Sequence, residues 1–338
     1  MNDGARGATD ARPEPAAAAA TPATPNRVGK ARRRFLRNRA AVFSACWLAG
    51  LMLLVAVWPL ALQVAGHCGA GGAAFARAHQ PDHLSADQFQ PPSPRHWFGT
   101  DVHGRDLLSR ILYGAQVSLL VGLAGAGVSL VIGVLWGAIA GYAGGRTDQL
   151  MMRGVDVCYS LPSIILVIVL ITTLEGVLKH WLEAGSAPDL VKFVRVLFLV
   201  VGLGSVSWLT MARIVRGQVL SLRHRPFVEA SRVLGAGPLR ILARHIIPHT
   251  FGVVLVYLTL TVPGIILYES FLSYLGLGIQ PPMASWGSLI AEGADQINSV
   301  RIYWWLIVFP AAWLVTTLLA LNFFGDGLRD AWEVRESS

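Results

Sequence analysis

Charged residues are scarce in this chain of 338 residues: Asp, Glu, Lys and Arg make up 14% of it, whereas 54% belongs to the hydrophobic set. A soluble domain carries about 25% charged residues. So few charges cannot cover the surface of a soluble globule of this size, and so apolar a chain is not a disordered one. The composition therefore excludes a soluble enzyme and points to a lipid bilayer as the solvent.

Cysteine is also sparse. The chain has three, Cys46, Cys68 and Cys158, and two of them lie in or beside apolar runs. An odd, small set in such positions argues against a framework of disulfide bonds.

Several catalytic motifs are missing as well. Without a Gly-x4-Gly-Lys-Ser/Thr phosphate loop, the chain is predicted not to hydrolyse ATP. The absence of His-Glu-x-x-His argues against an intramembrane metalloprotease, and the near absence of acids deep in the apolar runs argues against a proton-driven carrier. We therefore predict no catalytic residue and no cofactor on this chain. The rival interpretation from another class is an autonomous membrane channel or enzyme.

Six long runs without a charged residue are present instead. A spanning helix needs about 20 apolar residues, and five of the runs fit one crossing each. The second run is too long for one crossing and short for two, so we interpret it as one helix over 117–141 with an interfacial lead-in. The sequence predicts an all-α integral membrane protein with six transmembrane helices, in the runs 40–62, 111–145, 157–174, 196–212, 250–268 and 302–325.

The net charge of +8 is distributed unevenly. With the amino terminus in the cytoplasm, 20 of the 28 Lys and Arg residues fall in inside segments and 8 in outside segments. This bias predicts that both termini are cytoplasmic. The basic residues are thus read as a topology signal that also contacts anionic membrane lipid, and no nucleic-acid partner is predicted.

These spans divide the chain into segments. Residues 1–34 are predicted to be a disordered basic tail, and 40–62 is a retained anchor rather than a signal peptide, because its apolar run is too long. Residues 66–110 are predicted to form an extracytoplasmic loop, and 111–325 to contain the five remaining helices of the transmembrane core. Residues 326–338 are a cytoplasmic tail.

The outer loop carries a possible set of metal ligands, His67, Cys68, His79 and His83. His79 and His83 have the i,i+4 spacing of a helical metal pair. The loop is rich in Gly, Ala and Pro, however, and histidines in such loops are usually solvated. We predict no metal site here.

The longest inside loop, residues 213–249, has the local signals of two short helices. Gly235 is suited to end the first helix in the left-handed conformation. Pro238 is suited to the first turn of the second helix, and Pro248 is predicted to end it. An ordinary basic loop is the alternative that these residues leave open.

The same loop resembles the EAA signature of ABC-importer permease subunits, Glu-Ala-Ala, three residues, Gly, nine residues, Ile-x-Leu-Pro. Its residues Glu229, Ala230, Gly235 and Pro248 have the spacing of that signature. Two departures, Ser231 for the second Ala and Ile247 for the Leu, preserve size. His245 replaces an Ile, and this histidine is typical of the peptide/nickel branch of the family.

Three further segments resemble the C-type oligopeptide/dipeptide permease subunits of that branch: 96–110, 271–287 and 322–330. The resemblance covers about residues 30–332. It implies the type I permease fold of ABC importers and a permease subunit that moves peptides by alternating access across the cytoplasmic (inner) membrane. Nickel or another small solute is the alternative within the branch.

The resemblance also implies partners. They are a second, related permease subunit, two ATP-binding subunits that hold ATP and Mg²⁺, and an extracytoplasmic substrate-binding protein. In that family the EAA loop seats in a groove on the ATPase, so the resemblance assigns ATPase coupling to Glu229, Ala230, Ser231, Gly235, His245 and Pro248.

Within the spans, Gly133, Gly137 and Gly141 form an i,i+4 ladder that allows close helix approach. It fits either a seam against the partner permease or packing inside the subunit. Pro263 and Gly264 are a candidate hinge, because Pro removes a backbone hydrogen bond. Glu269 is placed near the outer interface, where we expect hydration.

Overall fold

The computed structural model describes residues 27–182, 188–297 and 301–332. Within these ranges the chain is helical and contains no β-strand, only an isolated bridge between Thr100 and Asp106. The helices, in order, are α1 Arg27–Arg37, α2 Arg39–His67, α3 Gly69–Ala78, α4 Leu107–Ala143, α5 Gly145–Ser160, α6 Ser163–Leu182, α7 Pro188–Leu222, α8 Pro226–Val233, α9 Pro238–Ile241, α10 Ile247–Tyr274, α11 Trp286–Ala294 and α12 Trp305–Trp332, with a π turn, Leu242–Ile246, between α9 and α10.

Five of the predicted spans are continuous helices long and apolar enough to cross a bilayer. They correspond to α2, α4, α7, α10 with the turn before it, and α12. The sixth, 157–174, falls on α5 and α6, which are bent by 92°. The bend has a local cause: Leu161 is extended, with φ −90° and ψ 140°, as expected for a residue that precedes a proline. Six spans are thus obtained when this bent pair is counted as one.

Helix α4 begins earlier than predicted. The segment interpreted as an interfacial lead-in to 117–141 is continuous α-helix from Leu107. The reason is a strong amino-terminal cap, since the Asp106 carboxylate accepts hydrogen bonds from the Ser109 backbone N–H at 3.0 Å and from its hydroxyl at 2.9 Å. Such caps stabilise a helix by about 1 kcal/mol.

The amino-terminal tail also differs from its prediction. Residues 1–26 lie outside the described residues, but Arg27–Arg37 is helix α1 and not a disordered segment. Packing explains the difference, because the ring of Phe35 lies edge-on to Phe324 of α12 with centroids 5.7 Å apart. The carboxy-terminal tail, 326–338, is helical as far as Trp332.

The three glycines of the α4 ladder all face α7 of the same chain. A Cβ atom at Gly133 would lie 2.6 Å from the Cβ of Met211, and one at Gly141 would lie 2.9 Å from the Arg216 carbonyl oxygen. At Gly137 it would meet the Ala212 carbonyl. The ladder is therefore packed inside the subunit, and α7 fills the face that a partner permease would need.

Two other sequence predictions concern α10. The helix is continuous through Pro263 and Gly264, so their role as a hinge stays a prediction. Glu269 is fully buried and not hydrated as expected. Its side-chain oxygens accept hydrogen bonds from the hydroxyls of Ser118 at 3.0 Å and Ser273 at 2.7 Å, so this buried polar group has partners within the protein.

Candidate functional site

The EAA loop, residues 213–249, has the two short helices that the sequence predicts, although its first ten residues continue α7. Helix α8 ends in a left-handed Gly235 with φ +81°. The Gly235 N–H donates to the Arg232 carbonyl and the Ala236 N–H to the Ser231 carbonyl, both at 3.0 Å. This pair of hydrogen bonds is the Schellman ending that favours glycine, and Pro238 starts α9 as predicted.

Pro248 does not end a helix, and that prediction is wrong. The chain stays helical from Pro238 into α10 through the π turn Leu242–Ile246, in which the Ile247 N–H bonds the Leu242 carbonyl five residues back. A proline crowds the carbonyl four residues before it, and this wider turn accommodates the ring. His245 lies in the turn, and its carbonyl accepts the Nδ1–H of His249 at 2.6 Å.

One face of the EAA loop is anchored in the protein. Val228, Ile241 and Ile246 are buried and pack in a cluster with Val215 and Val219 of α7. The anchored face fixes the orientation of α8 and α9 relative to the end of α7.

The opposite face is open and partly apolar. Val233, Leu234 and Leu239 are 87%, 86% and 80% exposed, and Glu229 and Ala230 are exposed beside them. The Ser231 hydroxyl donates to the Phe227 carbonyl at 2.8 Å, and this hydrogen bond lies within α8. The structure thus brings the predicted coupling residues from Glu229 to Gly235 onto one short unit with an apolar edge.

Arginines that the sequence analysis did not single out tie this unit to the membrane core. Arg216 on α7 makes a two-point contact with Asp148 on α5, with N–O distances of 2.5 and 2.6 Å. Arg223, at the start of the loop, donates to the Gly141 carbonyl at the end of α4 at 3.2 Å. Arg216 and Asp148 are 68 residues apart in the sequence, so no local sequence pattern predicts this ion pair.

A second group of charges was also missed, at the start of α4. Arg110 donates to Asp101 at 2.7 Å and to Glu292 of α11 at 2.5 and 3.0 Å. Arg105 joins the same two carboxylates at 2.7 and 3.2 Å. These side chains connect the segment before α4 with α11, and we call them the outer ion network because the sequence predicts that residues 66–110 are extracytoplasmic. Its one sequence signal is the i,i+4 spacing of Asp101 and Arg105.

The relatives of this chain among known proteins include permeases of peptide transport systems. The chain is 42% identical over 308 residues to the oligopeptide transport system permease protein OppC of Haemophilus influenzae, covering 90% of this chain and 88% of the relative. It is 44% identical over 306 residues to OppC of Escherichia coli K12, covering 90% of both. It is 41% identical over 300 residues to the dipeptide transport system permease protein DppC of Bacillus subtilis, covering 88% of this chain and 83% of the relative.

Among solved structures, a chain of the MetNI methionine ABC transporter in an inward-facing conformation matches with a TM-score of 0.48 and 18% identity, covering 64% of this chain and 94% of that one. The model of the family described as binding-protein-dependent transport system inner membrane component matches residues 133–337. With that match and relatives above 40% identity over most of their length, the chain belongs to the family of multi-pass inner membrane permease components of binding-protein-dependent transport systems.

Proposed function

We propose that this chain is a permease subunit of an ATP-driven peptide importer and that it couples to separate ATPase subunits through its EAA loop. The peptide assignment is supported by the relatives, which are permeases of oligopeptide and dipeptide transport systems. The coupling assignment is carried by one observation, the apolar edge of a unit whose other face is firmly anchored.

The apolar edge favours a protein partner. Val233, Leu234 and Leu239 are exposed at and beside the turn between the short helices α8 and α9, and they precede the apolar run 250–268. Burial of one such side chain contributes about 1.5–3 kcal/mol, and contiguous exposed apolar residues mark interaction sites. An ATPase that covers α8 and α9 would gain this free energy.

The loop also has rigid links through which motion can pass. A displacement of α8 moves the end of α7, because Val228 packs with Val215 and Val219. The ion pair of Arg216 with Asp148 transmits this displacement to α5, and the hydrogen bond from Arg223 to the Gly141 carbonyl transmits it to α4. We infer that ATP-driven closure of the ATPases reorients α4, α5 and α7 together and opens the path to alternate sides.

Further partners belong to the same proposal. A second permease subunit completes the path, and an extracytoplasmic binding protein delivers the solute, as the family description requires of a binding-protein-dependent system. Both termini are placed in the cytoplasm, since the positive-inside bias favours that orientation.

Reversing the charge of Glu229 tests the coupling. We propose that Glu229 faces a basic groove on the ATPase. We then expect Glu229→Lys to insert normally but to lose peptide uptake and bind the ATPases at least about tenfold less tightly, since like-charge contact across an interface costs several kcal/mol. The measurements are uptake of a labelled tripeptide by cells lacking their own peptide permeases and the ATP hydrolysis that co-purifies with the tagged chain. The matched variant Glu229→Gln, which removes the charge without reversing it, should retain more peptide uptake and more ATPase binding than Glu229→Lys. Normal uptake by Glu229→Lys would overturn the role of Glu229.

The apolar edge gives a second test. Leu234→Asp should lower ATPase retention by about thirtyfold, as expected for a central interface residue worth about 2 kcal/mol. Leu84→Asp is the control, because Leu84 is also exposed but lies in the segment before α4. Equal retention by the two variants would show that α8 and α9 do not form the ATPase contact, and a complex that transports Ni²⁺ but no peptide would overturn the proposed solute.

A further inference from the structure

We propose that His79, His96 and Asp106 form a binding site for a divalent transition metal ion such as Zn²⁺. The three side chains lie between the end of α3 and the start of α4, and they are 2%, 4% and 0% exposed. Their ligand atoms all lie within 4.8 Å of one another. The inference goes beyond the proposed transport function and does not depend on it.

His79 supplies the first observation. Its Nδ1 lies 2.9 Å from the Phe75 carbonyl oxygen, and because a carbonyl only accepts, this nitrogen carries the proton. In the neutral ring the other nitrogen, Nε2, is then a bare lone pair. It is buried and has no hydrogen-bond partner among the described residues. An unsatisfied buried polar atom costs about 1–3 kcal/mol.

Asp106 faces that lone pair. The distance from His79 Nε2 to Asp106 Oδ1 is 4.0 Å, which is too long for a hydrogen bond. The other carboxylate oxygen, Oδ2, is used by the cap of α4, so Oδ1 remains for the two histidines. A cation between a bare imidazole nitrogen and a carboxylate oxygen would satisfy both groups.

His96 completes a set of two nitrogens and one oxygen. Its Nδ1 lies 3.0 Å from Asp106 Oδ1, and the His96 and His79 rings are 5.8 Å apart. Two histidines and one carboxylate are ligands that Zn²⁺ accepts, with a fourth position left open. Ca²⁺ and Mg²⁺ prefer sets made of oxygen. The donor set therefore favours a transition metal.

The distances fit with small movements. Four-coordinate Zn²⁺ at about 2.0–2.2 Å from each ligand holds neighbouring ligand atoms roughly 3.4 Å apart. The two histidine–carboxylate separations, 3.0 and 4.0 Å, lie on either side of that value. The ligand nitrogens of the two histidines lie within 4.8 Å of each other, so reaching this spacing requires the imidazole rings to move by up to about 1 Å. Binding through His96 Nδ1 displaces the proton that lies between this nitrogen and Asp106, because a ligating nitrogen must present a lone pair to the metal.

The surroundings resemble those of metal-binding histidines in general. A ligating imidazole usually donates its other N–H to a carbonyl or carboxylate, which fixes the ring, and the Phe75 carbonyl has this position at His79. The ring of Phe75 stacks on His79 at 4.1 Å, and Trp58 lies edge-on at 6.2 Å. A bound ion would link α3, the outer segment and the cap of α4.

The site differs from the one considered in the sequence. The helical spacing pairs His79 with His83, whereas the fold brings His79 to residues 17 and 27 positions further along. The sequence analysis considered His79 together with His67, Cys68 and His83, and not with His96 or Asp106. His83 becomes the matched control, because it lies in the same segment but outside the cluster.

The test uses the full-length chain without a polyhistidine tag, treated with EDTA in detergent and titrated with Zn²⁺ against a fluorescent chelator. We expect one Zn²⁺ per chain for the wild type and for His83→Gln, and at least about tenfold weaker binding for His79→Gln and His96→Gln. Co²⁺ serves as a spectroscopic probe, since its visible absorption reports four-coordinate geometry with nitrogen ligands.

Two results would overturn the site. One is a wild-type chain that takes up no stoichiometric Zn²⁺ or Co²⁺ near neutral pH, which would assign the cluster to a proton shared by His96 and Asp106; this result holds even if a variant fails to fold. The other is unchanged affinity in a His79→Gln chain that elutes as a monodisperse protein, which would place the metal elsewhere.

Discussion

Replacing Gly137 with leucine is expected to abolish the folded subunit, while the same change at Gly127 of the same helix should leave it intact. A side chain at Gly137 meets the backbone of α7, with the Arg216 nitrogen 3.0 Å from the new Cβ and the Ala212 carbonyl closer still. Backbone atoms cannot rotate away, so α4 and α7 would have to separate. Overpacking a core costs about 1–3 kcal/mol, and occasionally more; we expect a value at or above that range.

Gly127 is a matched control because a Cβ atom there has nothing within 4 Å. Both variants exchange glycine for leucine within α4, so the gain in helix propensity is shared and cancels. The measurement is the amount of monodisperse protein in detergent and its midpoint of thermal unfolding. Equal midpoints for the two variants would show that the α4–α7 seam is not closely packed.

The second large effect is expected at Arg110 in the outer ion network. Arg110→Gln should lower the free energy of unfolding by about 3 kcal/mol, the lower end of the range for breaking a buried ion pair. The buried Asp101 and the half-buried Glu292 would then keep only Arg105 as a compensating charge. Arg110 and Asp101 are buried, and Arg110 is the residue that contacts both oxygens of Glu292.

The control is Arg95→Gln in the same outer segment. Arg95 pairs with Asp87 at 3.3 Å, but its side chain is 72% exposed, and exposed pairs contribute only about 0–1 kcal/mol. Chemical unfolding of both variants in detergent gives the comparison, and protease sensitivity of the segment before α4 reports where the loss occurs. Similar stability of the two variants would mean that the network is hydrated and contributes little.

Local patterns in the sequence predict the parts of the fold that depend on local physics. Long apolar runs predict the spans, because a continuous apolar run of about 20 residues satisfies its backbone hydrogen bonds within a bilayer as a helix, and Gly235 ends α8 through its left-handed conformation. Pro162 in the sequence also indicates the bend between α5 and α6, but the apolar residues around it made 157–174 look like one continuous span. Hydropathy averages over a window and does not see one proline.

The contacts between distant segments could not be predicted in this way. Glu269 was expected to be hydrated from its position along α10, yet Ser118 of α4 supplies one of its hydrogen bonds from 151 residues away. The same holds for the partners of His79 and Arg216. A single sequence shows on which face of its helix a residue lies and how far along the helix it is. It does not show which other helix packs against that face.

The outer ion network also has a consequence for biosynthesis. Arg110 and Glu292 are separated by 182 residues, so the arginine leaves the ribosome long before its partner. At about 5–20 residues per second, the interval is roughly 10–40 s. Throughout that time the start of α4 carries an arginine with only Asp101 to neutralise it, and it must stay at the water-exposed surface of the membrane. The ion pairs that join the start of α4 to α11 can therefore form only after α11 has been made.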